Sequence, residues 1–208
     1  MHGNKTTTIV LLAAIGAFLF IPFLGRVHLF DWDEINFAEC SREMIQLDDY
    51  SRVYVNFKPF WEKPPMFFWM QTVAMKMFGY TEFAARFPNA ICGIFTLLVL
   101  YLCGRRVYDH KFGVLWALAY AGSLFPNMYF KSGLIDPWFN LFIFLSLYFF
   151  ILYHWKRNGY DKEGLTKTPV YYAIWAGIFM GLAVLTKGQV ALMIFLLVLG
   201  VYLIYNRF

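Results

Sequence analysis

The chain has 208 residues, of which 60% are hydrophobic, 22% aromatic and only 15% charged. A soluble domain is about 45–50% apolar and about 25% charged, and here the excess is gathered into runs of about fifteen to twenty residues, which suits a multi-spanning membrane protein. The net charge of +5 does not point to nucleic acid, because the Lys and Arg residues fall in turns between apolar runs. Cys40, Cys92 and Cys103 match no metal or disulfide spacing.

The first apolar run is Thr8 to Leu24, preceded by Lys5. A signal peptide with Ile9 to Phe20 as its apolar core is the alternative to a retained anchor helix. Pro22-Phe23-Leu24-Gly25-Arg26 is a poor cleavage site, which favours the anchor. A long first loop, about residues 26–86, follows and is too charged to span. Asp31-x-x-Glu34 has capping-box spacing and predicts a helix running to about Gln46. Ile35, Ala38, Arg42 and Ile45 share one stripe of it, and Asn36, Glu39 and Glu43 another, which suits a helix lying at the interface. Asp48-Asp49-Tyr50-Ser51 reads as a turn and Val53 to Phe57 as a short extended piece. Pro64-Pro65 breaks the chain and seeds a second interfacial helix, Pro65 to Phe78, closed by Gly79.

Further spans are expected at about Phe87–Cys103, Phe112–Phe130, Pro137–Trp155, Val170–Leu185 and Val190–Tyr205, about six with the first. The expected fold is an all-α integral membrane protein with amphipathic interfacial helices in the first loop. The last run stops three residues before the chain does, so the sequence reads as part of a longer membrane protein. With the N-terminus in the cytoplasm, the inner segments hold nine basic residues against three acids, and the outer side nine against ten. That asymmetry obeys the positive-inside rule and puts the first loop outside. Asp33, Glu34, Glu62, Lys63, Lys131, Asp136 and Lys187 then share the outer membrane surface, none of them at mid-span.

Ionisable groups at that level mark a functional site by default. Asp33 reads either as a helix cap shared with Asp31, or as a general base at the aqueous–lipid boundary. Glu34 and Glu39 read as solvated or dipole-complementing acids, or as support for the site. In Trp61-Glu62-Lys63-Pro64-Pro65 the prolines fix an acid–base pair where the chain re-enters the interface. It is an interfacial ion pair, or a phosphate-neutralising Lys63 with Glu62 orienting it or holding a cation. Asp136 is the cap of the helix that Pro137 opens, or a site acid, and Lys187 taken alone reads as a snorkelling lysine at a span end. No metal cluster, phosphate loop or Ser/His/Asp arrangement is visible in the sequence.

These motifs resemble the polytopic GT-C glycosyltransferases that use lipid-linked sugars, in the aminoarabinose (lipid A) transferase and protein mannosyltransferase-like group. The resemblance is carried by Asp33-Glu34 with Phe37-Ala38-Glu39 and Arg42-Glu43-Met44, by Phe60 to Pro65, by Glu82 to Pro88, by Asp136, and by Gly181 to Gly188. It covers nearly the whole chain as the N-terminal half of a typical member, whose C-terminal half with its soluble domain is absent here. The 208 residues alone are accordingly expected to be inactive. It implies transfer of a sugar from a polyprenyl phosphate to a lipid A, glycan or protein hydroxyl on the outer, periplasmic face of a bacterial inner membrane. It implies Asp33 and Asp136 as the catalytic acids and Lys63 and Lys187 as donor-phosphate contacts. Glu34, Glu39, Arg42 and Glu62 are then supporting, with Glu62 the candidate ligand of a divalent cation. The chain departs from many relatives in carrying Asn36-Phe37 for Arg-Tyr and Gln189 for Pro. A transporter or flippase-like module, expected to carry ionisable groups near mid-span, and a non-catalytic scaffold are the other readings.

Overall fold

The structure is a computed structural model that describes residues 4–160 and 164–205. Asp161, Lys162, Glu163 and Arg207, which enter the charge asymmetry above, lie outside the described residues. The chain divides into two compact units, Met1–Trp61 with Phe67–Pro137, and Glu62–Met66 with Trp138–Phe208. Each is described by itself.

The first unit is built around one long helix. Helix α1 (Lys5–Phe20) is capped by Asn4, whose side chain accepts from the Thr6 amide at 3.1 Å. It ends at Phe20, short of the expected Leu24, because Pro22 cannot continue it. Helix α2 (Asp33–Leu47) follows an irregular stretch. The expected capping box does not form. Trp32 occupies the cap position at φ 74° with no side-chain cap, and Glu34 is turned inward. The buried face of α2 is also not either predicted stripe. It comprises Glu34, Phe37, Ala38, Cys40, Ser41, Glu43 and Met44, while Ile35 is exposed.

The extended stretch after α2 is a small hairpin, β1 (Tyr54–Val55) antiparallel to β2 (Lys58–Pro59), with Tyr54 opposite Pro59. Its two-residue loop, Asn56-Phe57, has φ 53° and 59°, the mirror-image turn that matches strand twist. Glu43 is buried because its Oε2 accepts the Phe57 amide at 2.9 Å. Helix α3 (Met66–Phe78) matches the second predicted interfacial helix and ends at Gly79, φ 77°. Helix α4 (Glu82–Val107) begins five residues before the expected Phe87. Thr81 caps it, and the charge of Arg86 is neutralised inside the protein.

Around α4 the helices pack on small residues. A methyl group at Gly16 of α1 would sit 3.2 Å from Ile94, and one at Gly93 would sit 2.7 Å from both Phe20 and Phe130. The expected single span Phe112–Phe130 is two helices, α5 (His110–Ala121) and α6 (Leu124–Phe130). Pro126 explains the break: it has no amide for the Gly122 carbonyl and its ring would clash there. The Asn127 side chain instead donates to the Ala121 and Ser123 carbonyls at 2.5 and 2.9 Å.

The second unit holds α7 (Asp136–Asn158, its first two residues belonging to the first unit), α8 (Pro169–Lys187) and α9 (Val190–Tyr205). Phe149 stacks on Phe179 with centroids 5.5 Å apart, and Ser146 donates to the Ala176 carbonyl at 2.9 Å. Among the described residues α4, α7 and α8 are long and apolar enough to cross a membrane, and α1 and α9 are shorter apolar helices. Leu197, Val201 and Ile204 of α9 are exposed, as suits a lipid-facing surface.

Candidate functional site

The predicted residues are divided between the two units, Asp33, Glu34, Glu39, Arg42 and Asp136 in the first and Glu62, Lys63 and Lys187 in the second. In the first unit the organising pair is Glu34 and Arg86, both almost fully buried. A buried charge is tolerated only when paired and hydrogen-bonded. Here both side chains are saturated. Arg86 Nε donates to Glu34 Oε1 at 2.7 Å and Nη2 to Oε2 at 2.8 Å. Its remaining three hydrogens go to the carbonyls of Leu24, Val27 and His28 at 2.7, 2.7 and 3.0 Å. Glu34 also accepts the Phe30 amide at 2.7 Å and the Gly133 amide at 2.5 Å. Glu34 is therefore not the solvated acid of the sequence reading, because a partner 52 residues away holds it inside.

Asp33, next to it, stands exposed in the first turn of α2. Asp136 is half-buried in the first turn of α7, at the end of the loop that Gly133 belongs to. Lys131, at the other end of that loop, lines a groove of about 320 Å³ together with Phe30 and Arg86. Glu39 and Arg42 pair with each other on the surface, Arg42 Nε to Glu39 Oε2 at 2.8 Å with a second contact from Nη2. That hydrogen bond holds the Glu39 carboxyl below its usual range and raises the Arg42 guanidinium. Both line a cleft of about 490 Å³ with Asp31, Ile35 and Tyr80.

In the second unit Glu62 is exposed and Lys63 half-buried. Pro64, which fixes the backbone after Lys63, lies beside the end of α8: a methyl group at Gly188 would be 3.9 Å from Pro64 Cγ. Lys187, one residue before that glycine, sets its ammonium 5.4 Å from the centre of the Phe139 ring. Lys63 and Lys187 thus come from segments far apart in sequence that meet at Pro64 and Gly188. Among the described residues no group of three or more His, Cys, Asp or Glu converges. Glu62, exposed and in no such group, does not by itself fit a bound cation.

Three buried polar side chains, one of them Arg86 of the Glu82–Pro88 motif, have no role assigned from the sequence. Asn89 donates through Nδ2 to the Ser132 and Leu134 carbonyls at 2.6 and 2.7 Å. Gln71 takes the Ser41 hydroxyl at 2.8 Å and gives its amide to the Ala85 carbonyl at 2.9 Å. Arg86 completes the set. The available signal was a polar residue within or at the head of an apolar run, which is costly unless satisfied inside the protein.

The comparisons with known proteins agree with this architecture. Residues 62–208 match the model of the dolichyl-phosphate-mannose-protein mannosyltransferase family. The undecaprenyl phosphate-alpha-4-amino-4-deoxy-L-arabinose arabinosyl transferase 2 of Proteus mirabilis is 28% identical over 207 residues, covering 93% of this chain and 35% of that protein. The corresponding transferase of Pseudomonas aeruginosa is 28% identical over 208 residues, covering 99% and 36%. The crystal structures of ArnT from Cupriavidus metallidurans, in the apo state and bound to undecaprenyl phosphate, superpose with a TM-score of 0.86 at 26% and 25% identity. Each likeness covers 98% of this chain and 37% of ArnT. The chain thus spans about a third of the length of the relatives it matches. The helices and these likenesses make it an all-α, multi-pass membrane protein. With the family model matched over most of its length, the chain belongs to the dolichyl-phosphate-mannose-protein mannosyltransferase family, and it is similar to the aminoarabinose transferases.

Proposed function

We propose that this chain forms part of a glycosyltransferase that moves a sugar from a polyprenyl-phosphate donor to an acceptor hydroxyl of lipid A, a glycan or a protein. The site lies on the outer face of a bacterial inner membrane, with the N-terminus in the cytoplasm. The observation that carries the reading is the meeting of Lys63-Pro64 with Lys187-Gly188. One lysine before the two prolines that lead into α3 and one at the C-terminal end of α8 offer positive charge on segments fixed by those prolines and a helix terminus. A lipid phosphate needs that charge.

The reaction forms the bond from the acceptor oxygen to the anomeric carbon and breaks the bond from that carbon to the phosphate oxygen. Asp33, exposed to the aqueous side, takes the acceptor proton or orients the hydroxyl. Lys63 and Lys187 stabilise the leaving polyprenyl phosphate as negative charge gathers on it. Asp136 is the second acid of the site. Glu62 orients Lys63, and Glu39 and Arg42 shape the outer surface of α2.

The test uses the full-length polypeptide that carries this chain, in proteoliposomes with a panel of polyprenyl-phosphate-linked sugars. Folded Asp33→Asn and Lys63→Ala are compared with wild type for release of polyprenyl phosphate. Loss of release in both variants upholds the reading, and the donor consumed names the sugar. A folded wild type that turns over no donor, or variants with full activity, would overturn it in favour of a scaffold.

A further inference from the structure

We infer that Asn89 and the Glu34–Arg86 pair are positioning residues for the transfer proposed above, holding the backbone that carries Asp33 and the loop that ends in Asp136 as one framework. The inference rests on the reading of Asp33 and Asp136 as site acids.

Glu34 is the next residue after Asp33, and its two oxygens serve two different backbone segments. Oε2 accepts the Phe30 amide at 2.7 Å and so closes the turn that leads into α2. Oε1 accepts the Gly133 amide at 2.5 Å, three residues before Asp136. Arg86 grips both oxygens at once, so neither can swing without breaking the ion pair. From the other side, Asn89 of α4 gives one amide hydrogen to the carbonyl before Gly133 and one to the carbonyl after it. Three consecutive loop residues are therefore held by side chains of α2 and α4.

The Asn89 amide is committed to this loop. Its Oδ1 is buried with no partner among the described residues, and the flipped amide would set that oxygen against two carbonyls. The loop also lies flat on the pair: a methyl group at Gly133 would meet Glu34 Cγ at 3.2 Å and the Ala85 carbonyl oxygen at 3.3 Å. Chemistry between two oriented groups demands such rigidity, since a misplacement of about 1 Å costs about a hundredfold in rate.

The test uses the full-length polypeptide in proteoliposomes, with Asn89→Ala, Gly133→Ala, Asp136→Asn and the Asn89→Ala/Asp136→Asn double variant. Turnover is measured on the donor that the panel identifies, and equilibrium binding is measured with undecaprenyl phosphate. Positioning predicts that Asn89→Ala and Gly133→Ala each lose about ten- to a hundredfold in kcat while binding stays within about threefold. It also predicts that the double variant is no slower than Asp136→Asn alone. Gly133→Ala deletes no hydrogen-bonding group, so it carries the test if Asn89→Ala does not fold. The inference is overturned if folded variants keep wild-type kcat, if binding falls in step with kcat, if the losses multiply in the double variant, or if neither single variant folds. Full activity in Asp136→Asn would instead remove the underlying site reading. An inactive Asp136→Asn beside a fully active Asn89→Ala would remove the positioning inference alone.

Discussion

Arg86 and Glu34 meet as a two-point ion pair across 52 residues of sequence, with Nε–Oε1 at 2.7 Å and Nη2–Oε2 at 2.8 Å. Both side chains are almost wholly buried, at 3% and 1% exposure. Such a pair contributes little on its own, because desolvation offsets the attraction. Its importance here lies in what else it holds: the carbonyls of Leu24, Val27 and His28, and the amides of Phe30 and Gly133.

That composition sets the first prediction. Arg86→Met alone should destabilise the protein by about 3–5 kcal/mol, since it strands a buried carboxylate. Apolar replacement of both partners often recovers stability in other proteins. Here the Arg86→Met/Glu34→Leu double variant should not recover it, because the backbone groups lose their partners as well. Thermal unfolding in detergent checks this, and a double variant near wild-type stability would refute it.

Glycines at helix contacts should respond according to what surrounds them. A methyl group at Gly113 would lie 2.5 Å from the Tyr101 carbonyl oxygen and 2.8 Å from the Arg105 nitrogen, both backbone atoms of α4. Backbone cannot turn aside, so α4 and α5 must separate. Gly113→Ala is expected to cost about 1–3 kcal/mol or more. Gly177, with nothing within 4 Å, should accept alanine with no loss. Equal melting temperatures for the two variants would contradict the packing described here.

The turn after α2 should be sensitive to acid. Hydrogen bonds from Ser51, then Tyr54, lower the Asp49 carboxyl to about 2. A depressed folded value means that the stabilisation is present above the ordinary value of 3.8 and is lost as pH falls toward about 2. Amide protection across Asp49–Pro59 should therefore drop over that window. Asp49→Asn should start lower and lose this dependence. A window unchanged by the substitution would rule out Asp49 as the cause.

The hairpin loop offers a stabilising change. Phe57 sits at φ 59°, a left-handed conformation that costs a side-chain-bearing residue about 1–2 kcal/mol. Phe57→Gly creates an Asn-Gly loop suited to this turn and leaves the hydrogen bond from its backbone amide to Glu43 Oε2 intact. It should raise stability by about 1 kcal/mol, read as a higher unfolding temperature, and a temperature at or below that of wild type would count against it.

Much of the fold was legible because local signals carry it. The apolar runs at 137–155, 170–185 and 190–205 became α7, α8 and α9, with Pro137 and Pro169 at their starts and Gly188 between the last two. Pro64-Pro65 and Gly79 bracketed α3, and the stretch 53–57, expected to be extended throughout, holds β1 and then the hairpin turn at Asn56-Phe57. Run length, proline geometry and glycine conformation act within a few residues, so the sequence by itself determined them. Pro126 carried the same kind of signal, and its break inside the run 112–130 could have been read.

The tertiary structure alone decided which charges are inside. Asp33 and Glu34 are adjacent acids with the same local pattern, yet one is exposed and the other is buried against Arg86. Burying a carboxylate is unfavourable until a distant cation and several backbone amides arrive together, and helical periodicity contains no term for that. The same holds for Asn89, whose two donated bonds lie more than forty residues away. The sequence therefore determined the helices that run length, proline and glycine mark out, and the packing of α2 and α4 against the loop before Asp136 decided which neighbouring charges are exposed and which are held inside.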